Sequence, residues 1–196
     1  MKKIIFLSII CIISIIINKH AIAENNFKKV YFAGGCFWCM EESFEQVEGV
    51  REVISGYSGG NKKNPTYEEV TYGKTGHFET IEIIYDSNQV NFNSLLKVFW
   101  ENIDPFDKYG QFCDKGYSYR SVAFFTNTNE KTLIEKSKKK IEESFDKKVV
   151  TYIREFKVFY KAEENHQDYY QKKFINYLLY KQGCGREKKL NKIWGK

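Results

Sequence analysis

The stretch Val30-Tyr31-Phe32-Ala33-Gly34-Gly35-Cys36-Phe37-Trp38-Cys39-Met40 carries the reading that decides the fold. Val30 to Ala33 is a short apolar run, the mark of a buried strand, and the glycine pair breaks it. From Phe37 the apolar residues fall at Phe37, Met40, Phe44 and Val47, a helical spacing that Gly49 terminates. Outward from this unit, strand and helix signals keep alternating. Val50 to Ile54 reads as a strand, followed by the loop Gly56-Tyr57-Ser58-Gly59-Gly60. Asn64-Pro65 opens a short helix through Val70, and Phe78 to Tyr85 is the clearest strand. Leu95 to Trp100 is helical and ends at Asp104-Pro105. Arg120 to Thr126 predicts a strand, Glu130 to Phe145 an amphipathic, lysine-rich helix, and Val149 to Phe156 a last strand. A helix over Glu163 to Tyr180, stopped by Gly183, and a small one ending near Trp194 close the chain. This alternation predicts a mixed α/β fold, a sheet covered by helices.

The length of 196 residues holds one domain, and 42% hydrophobic residues with only two prolines exclude a disordered chain. The formal charge of +6 suggests nucleic acid until it is divided along the chain. Lys2, Lys3 and Lys19 lie in the first 23 residues, which hold no acid, leaving 28 basic against 25 acidic residues. A net +3 on the remainder is a solvated surface, not a phosphate-binding stripe.

Residues 1–23 read as an address. A positive Met1-Lys2-Lys3 start, an apolar run from Ile4 to Ile17 and the pattern Ala21-Ile22-Ala23 describe a secretory signal peptide cut after Ala23. The run falls short of the about 20 apolar residues that span a bilayer, so no stable membrane insertion is expected after cleavage. Residues 24–196 then form a single catalytic domain, expected to be periplasmic or secreted. Cys36, Cys39, Cys113 and Cys184 would work where disulfides persist. Four cysteines allow three complete pairings, and the sequence does not choose among them.

Cys36 falls at the first turn of a helix, where unpaired amides and the positive end of the helix dipole favour a thiolate and make a nucleophile. Cys36 and Cys39 also form C-x-x-C. That pattern admits a thioredoxin-type disulfide exchanger, or a zinc site completed by Cys113 and Cys184. In Phe78 to Tyr85, alternate residues share a face, so Glu79 stands at the head of the row Ile81, Ile83, Tyr85. Burial there would raise its pKa and keep it a proton donor. His77 reads as structural. Tyr67, Tyr117 and Tyr119 lie in loops, where a hydroxyl can steady a polarised oxygen.

In this order, the motifs resemble the A-type peptide methionine sulfoxide reductases from about Tyr31 to the C-terminus. The carriers are Gly35-Cys36-Phe37-Trp38, Gly56-Tyr57-Ser58-Gly59-Gly60, Asn64-Pro65-Thr66-Tyr67 and Gly76-His77-Phe78-Glu79. Downstream stand Phe99-Trp100-Glu101-Asn102, Asp104-Pro105, Asp114 to Arg120, and Glu164-Asn165-His166-Gln167-Asp168-Tyr169. The resemblance implies a two-layer sandwich related to the ferredoxin-like arrangement. It also implies reduction of the S epimer of methionine sulfoxide, free or in proteins and peptides, without metal or organic cofactor. By the same resemblance Cys36 is the nucleophile, Glu79 the acid, Tyr67 and Tyr119 the partners of the sulfoxide oxygen, and Asp114 a supporting group. Phe37 and Trp38 form the methyl-binding wall. Cys36 would become a sulfenic acid. A resolving cysteine would close a disulfide that an external thioredoxin-like thiol opens. The family pattern points to Cys184, in Gly183-Cys184-Gly185, as that resolving residue. Cys39, where glycine is common, and Cys113, beside the site segment, remain alternatives. Lys172-Lys173-Phe174 departs from the pattern, which tends to carry a proline there. A monomer is the expected form.

Overall fold

The computed structural model describes residues 26–195. The predicted signal peptide of residues 1–23 lies outside them. Among the described residues no helix is long and apolar enough to cross a membrane.

Strand β1 (Phe27–Ala33) leads through Gly34-Gly35 into helix α1 (Phe37–Glu45), and β2 (Val50–Ser58) returns. Helix α2 (Tyr67–Tyr72) starts at a full capping box, with Thr66 Oγ1 accepting from the Glu69 amide and Glu69 accepting from the Thr66 amide. Then come β3 (Phe78–Asp86), α3 (Phe92–Glu101), the two-residue strands β4 (Gly110–Gln111) and β5 (Asp114–Lys115), and β6 (Val122–Phe125). Helix α4 (Thr128–Phe145), β7 (Tyr152–Glu155), β8 (Phe159–Lys161), α5 (Tyr169–Lys172), α6 (Phe174–Cys184) and α7 (Arg186–Trp194) complete the chain.

The main sheet runs β7-β6-β1-β3-β2-β8, antiparallel except for the β6–β7 pair. Its centre, β6-β1-β3-β2, is the ferredoxin-like order. Side-chain parity splits the sheet into two faces. Val30, Phe32, Ile81 and Ile83 pack with Met40 and Phe44 of α1, Leu95 and Phe99 of α3, and Ile134 of α4. Tyr31, Ala33, Phe78 and Phe124 form a second, smaller core on the other face.

The link between the sheet edges bends it. β7 and β8 lie at opposite edges yet are joined only by residues 156–158. Six flat strands span about 24 Å, whereas four Cα steps reach at most about 15 Å. The sheet must therefore curl, and Phe156 stacks on Tyr31 with ring centres 3.7 Å apart inside the curl.

The last part of the chain differs from its sequence reading. Instead of one helix over Glu163 to Tyr180, there is a short 3-10 turn (Glu164–His166), a break, then α5 and α6. The break has a cause at Gln167, whose side-chain amide pairs with both the N–H and the C=O of Ser55 in β2, each at 3.0 Å. Asp168 then turns left-handed, with φ 53°. Gly183 lies inside α6 and does not stop it; Gly185, at φ 63°, makes the stop. Strands β4, β5 and β8 are too short to announce themselves by alternation.

Candidate active site

Cys36 is the N-cap of α1 and is buried, at 4% exposure. A cavity of about 50 Å³ opens beside it, lined by Cys36, Phe37, Trp38, Tyr67, Glu79, Asp114, Tyr119 and Tyr180. The topology explains the meeting. β1 and β3 are paired neighbours, so the turn into α1 and the head of β3 lie side by side, and Glu79 occupies the helix-covered face with Ile81 and Ile83. The Phe37 amide donates to Glu79 Oε2 at 3.0 Å.

That bond changes the reading of Cys36. The first-turn amide that was expected to favour a thiolate is taken by the carboxyl. Burial pushes the Cys36 thiol well up, helped by its hydrogen bond with Cys39 and by the negative fields of Cys39, Glu79 and Asp114. Cys39 moves the other way, to about 7, because it accepts from Cys36 and feels the Arg186 and Lys181 cations, against its own burial. Glu79, 2% exposed, is pushed up to about 8 by burial, more than the Phe37 amide pulls it down. A neutral carboxyl thus faces a neutral thiol.

Tyr67 opens α2, and Tyr119 ends a 3-10 turn (Tyr117–Tyr119) after β5. Their hydroxyls are hydrogen-bonded to each other, and burial raises both pKa values beyond any working pH. Asp114 accepts from the Tyr180 hydroxyl, and burial raises its pKa. Trp38 stacks on Tyr169, ring centres 3.8 Å apart, and its indole N–H donates to His166 Nδ1 at 3.3 Å. His166 in turn stacks on Tyr67 at 4.3 Å.

Three residues behind this wall escaped sequence reasoning as individuals. Glu163 accepts from the Tyr67 amide and the Tyr57 hydroxyl, both at 2.8 Å, and so fixes where Tyr67 stands. His166, kept neutral by burial, and Tyr180 complete the aromatic enclosure. The motif from Glu164 to Tyr169 pointed at their neighbourhood without assigning roles. Tyr117 lies outside the enclosure, stacked on Phe78. His77 is buried, accepting from the Gly60 amide and bonded to the Lys62 carbonyl, as a structural histidine should be.

The cysteines fall into two pairs. Cys113 and Cys184 form a disulfide, Cα atoms 5.0 Å apart, while Cys36 and Cys39 are free thiols. Cys184, which the resemblance makes the resolving thiol, is the last residue of α6, buried and bonded to Cys113, and α6 runs one turn further than its sequence suggested. A four-cysteine zinc site is therefore not assembled. The Glu41, Glu45 and Asp168 oxygens also cluster. Glu41 is already satisfied there by the Ser55 hydroxyl and the Asp168 amide.

Comparison with known proteins bears on this arrangement directly. A model of the family described as peptide methionine sulfoxide reductase matches residues 28–196. A peptide methionine sulfoxide reductase of Bacillus licheniformis is 47% identical over 167 residues, covering 84% of this chain and 92% of that protein. The methionine sulfoxide reductase A structure of Corynebacterium diphtheriae superimposes with a TM-score of 0.69 at 30% identity, over 76% of each chain. Reduced Mxr1 of Saccharomyces cerevisiae gives 0.71 at 27% identity, over 76% of this chain and 87% of that one. The yeast protein has also been solved in complex with Trx2. A relationship that spans the whole described fold and both walls of the cavity leaves one assignment: this chain belongs to the peptide methionine sulfoxide reductases, enzymes that reduce methionine sulfoxide.

Proposed function

We propose that this enzyme reduces the S epimer of methionine sulfoxide, free or in proteins and peptides, through a sulfenic acid on Cys36. The observation that carries the reading is the neutral Glu79 carboxyl, with the Tyr67 and Tyr119 hydroxyls, across an aromatic-walled cavity from the Cys36 sulfur. A sulfoxide sulfur becomes electrophilic only as its oxygen gains a proton. Glu79 lends that proton, and the two hydroxyls steady the oxygen as charge moves onto it. Cys36 sulfur takes the oxygen, its own proton returns to Glu79, and the thioether leaves as methionine. Thiol plus sulfoxide becomes sulfenic acid plus thioether, with nothing else consumed. Epimer choice follows from three fixed directions. The oxygen points to Glu79, the methyl group rests on Phe37 and Trp38, and the rest of the substrate leaves by the mouth, which only one hand of sulfur satisfies.

Recycling goes first through Cys39, which shares a hydrogen bond with Cys36 and is the more acidic thiol. Its sulfur displaces the sulfenic oxygen as water and leaves a Cys36–Cys39 disulfide. A thioredoxin-like dithiol then reopens it, a donor class favoured by the yeast relative's complex with Trx2. No metal or organic cofactor enters this scheme. Work outside the cytoplasm is supported by the leader-like residues 1–23 and by a Cys113–Cys184 bridge that suits an oxidising compartment.

The test is methionine formation from each resolved epimer with a dithiol reductant. Turnover of the S epimer that is lost in Cys36→Ser is expected. Equal turnover of both epimers, or activity surviving Cys36→Ser, would overturn the reading.

A further inference from the structure

Arg186, the first residue of α7, is 3% exposed, and a guanidinium stays charged under all working conditions. Among the described residues no carboxylate lies within ion-pair distance of it. Its donors go to neutral acceptors: the Asn102 carbonyl at 2.6 Å, the Gly34 carbonyl at 3.5 Å and Met40 Sδ at 3.2 Å. Its flat face rests on the Phe112 ring, 4.6 Å from the centroid. Burying a cation without an anion is expensive, so an anion that appears later in the reaction would account for it.

The surroundings offer a candidate anion. Arg186 and Cys39 line one cavity of about 280 Å³, distinct from the substrate cavity, which Cys36 lines and Cys39 does not. The two cysteines of one helical turn therefore line different spaces. The groups that favour a Cys39 thiolate are the Cys36 thiol on its own helix, the Tyr177 hydroxyl and Lys181 ammonium on α6, and Arg186 on α7. Glu79 and Tyr180 also feel its charge, and the carboxylates of Glu42, Glu101 and Glu187 line the same cavity. Lys181 is already paired with Glu42. Asp114 also feels Arg186, but it is held by Tyr180 and kept toward its neutral form by burial.

We propose that Arg186 is a positioning residue for the resolving step, supplying the buried positive charge that lets Cys39 attack the Cys36 sulfenic acid as a thiolate. The proposal rests on the reading that Cys39 resolves. It separates two sources of help for that thiolate. The Cys36 thiol proton, the first of them in the resting enzyme, is gone once Cys36 carries oxygen, whereas Arg186 is fixed by three backbone and side-chain acceptors and remains. In the step itself the Cys39 sulfur bonds to the Cys36 sulfur, the Cys36 S–O bond breaks, and Glu79 protonates the departing hydroxide to water. Glu79 then regains a proton from solvent. The same guanidinium holds the Gly34 carbonyl, so it fixes the glycine turn and the charge from one point.

The experiment follows the lifetime of the Cys36 sulfenic acid, trapped by a 1,3-dione after one turnover without reductant, against pH. It compares the parent with Arg186→Gln and Arg186→Lys, and each resolving rate is read relative to that protein's own methionine-forming burst. Removing the charge is expected to slow resolution about tenfold near pH 7 and to move its pH midpoint up by about one unit, with much of both restored by lysine. A midpoint unchanged in a folded Arg186→Gln protein, or a loss equal at every pH and equal in the lysine variant, would overturn the proposal. Should Arg186→Gln fail to fold, alkylation of Cys39 in Cys36→Ser protein decides the matter. A midpoint below about pH 8.5 supports a thiolate held without Cys36, and one at or above the free-thiol range overturns it. Cys39→Ser marks failure of the underlying reading separately: a sulfenic acid that still resolves at the parent rate removes Cys39 from the step whatever Arg186 does.

Discussion

Glu79 is a carboxyl that its surroundings keep protonated. Buried at the head of β3 and accepting, among the described residues, only the Phe37 amide, it is pushed up to about 8 from its ordinary 4.5. Two expectations follow for Glu79→Gln. Single-turnover methionine formation slows by roughly 10²–10⁴, the scale of a lost general acid. In the parent that rate declines above about pH 8 as the acid form disappears. Stability moves in the opposite sense. A group whose folded pKa is raised contributes stability that is present below its unfolded pKa and is lost as pH rises through the folded one. The variant, having nothing to ionise, therefore gains Tm over the parent between pH 5 and 8.5, which thermal unfolding across that range would check; a constant difference would place the charge elsewhere. Strand parity made Glu79 legible in the sequence. The state of Cys36 was not legible, because the amide credited to it is claimed by a residue 42 positions away. Glu163 and Tyr180 act through contacts that cross the fold, so no local pattern marks them, and the motif that holds His166 gave it no role of its own.

Short elements hold the substrate side in place. β8 is three residues long and pairs with β2 at Gly56↔Lys161. Gly56 permits this approach: a Cβ there would stand 2.3 Å from the Phe159 ring and 2.4 Å from the Tyr160 carbonyl oxygen, one of which is backbone and cannot swing away. Just beyond β8 lies Glu163, which anchors Tyr67 and Tyr57. Gly56→Ala should therefore cost about 1–3 kcal/mol, the range for overpacking a filled site. It should also raise KM for the sulfoxide more than it lowers stability alone would explain, because Tyr67 loses its anchor. Denaturant unfolding and steady-state kinetics on the same preparation test both. A KM equal to the parent's in a destabilised variant would show that Tyr67 does not depend on β8. The core strands and α1, α3 and α4 were legible because periodicity records which face is buried. The three short strands and the broken helix after Glu163 were not, since their shape comes from pairing partners, Gln167 with Ser55 above all.

At the scale of the molecule, the Cys113–Cys184 bridge ties the β4–β5 hairpin to the end of α6, closing a loop of 71 residues in sequence separation. Both attached segments reach the site. Asp114 follows Cys113 and lines the substrate cavity, while Tyr180 stands one helical turn before Cys184 and hydrogen-bonds Asp114. A bridge across a long loop limits the unfolded chain more than it adds native contacts. Replacing both cysteines with serine should cost about 2–4 kcal/mol, a Tm loss of about 5–15 °C for a chain of this size. The family pattern points to Cys184 for resolution, whereas we propose Cys39 for that step, and the double variant separates them below its lowered Tm. If Cys39 resolves, Cys113→Ser/Cys184→Ser still cycles with a thioredoxin system and its Cys36–Cys39 disulfide appears by mass spectrometry after one turnover. If Cys184 carries the electrons, the variant makes one equivalent of methionine, stops with Cys36 as sulfenic acid or bridged to Cys39, and resumes only with a small dithiol. The first outcome makes the bridge a brace that holds Asp114 and Tyr180 in register, and the second makes it the final station of the relay.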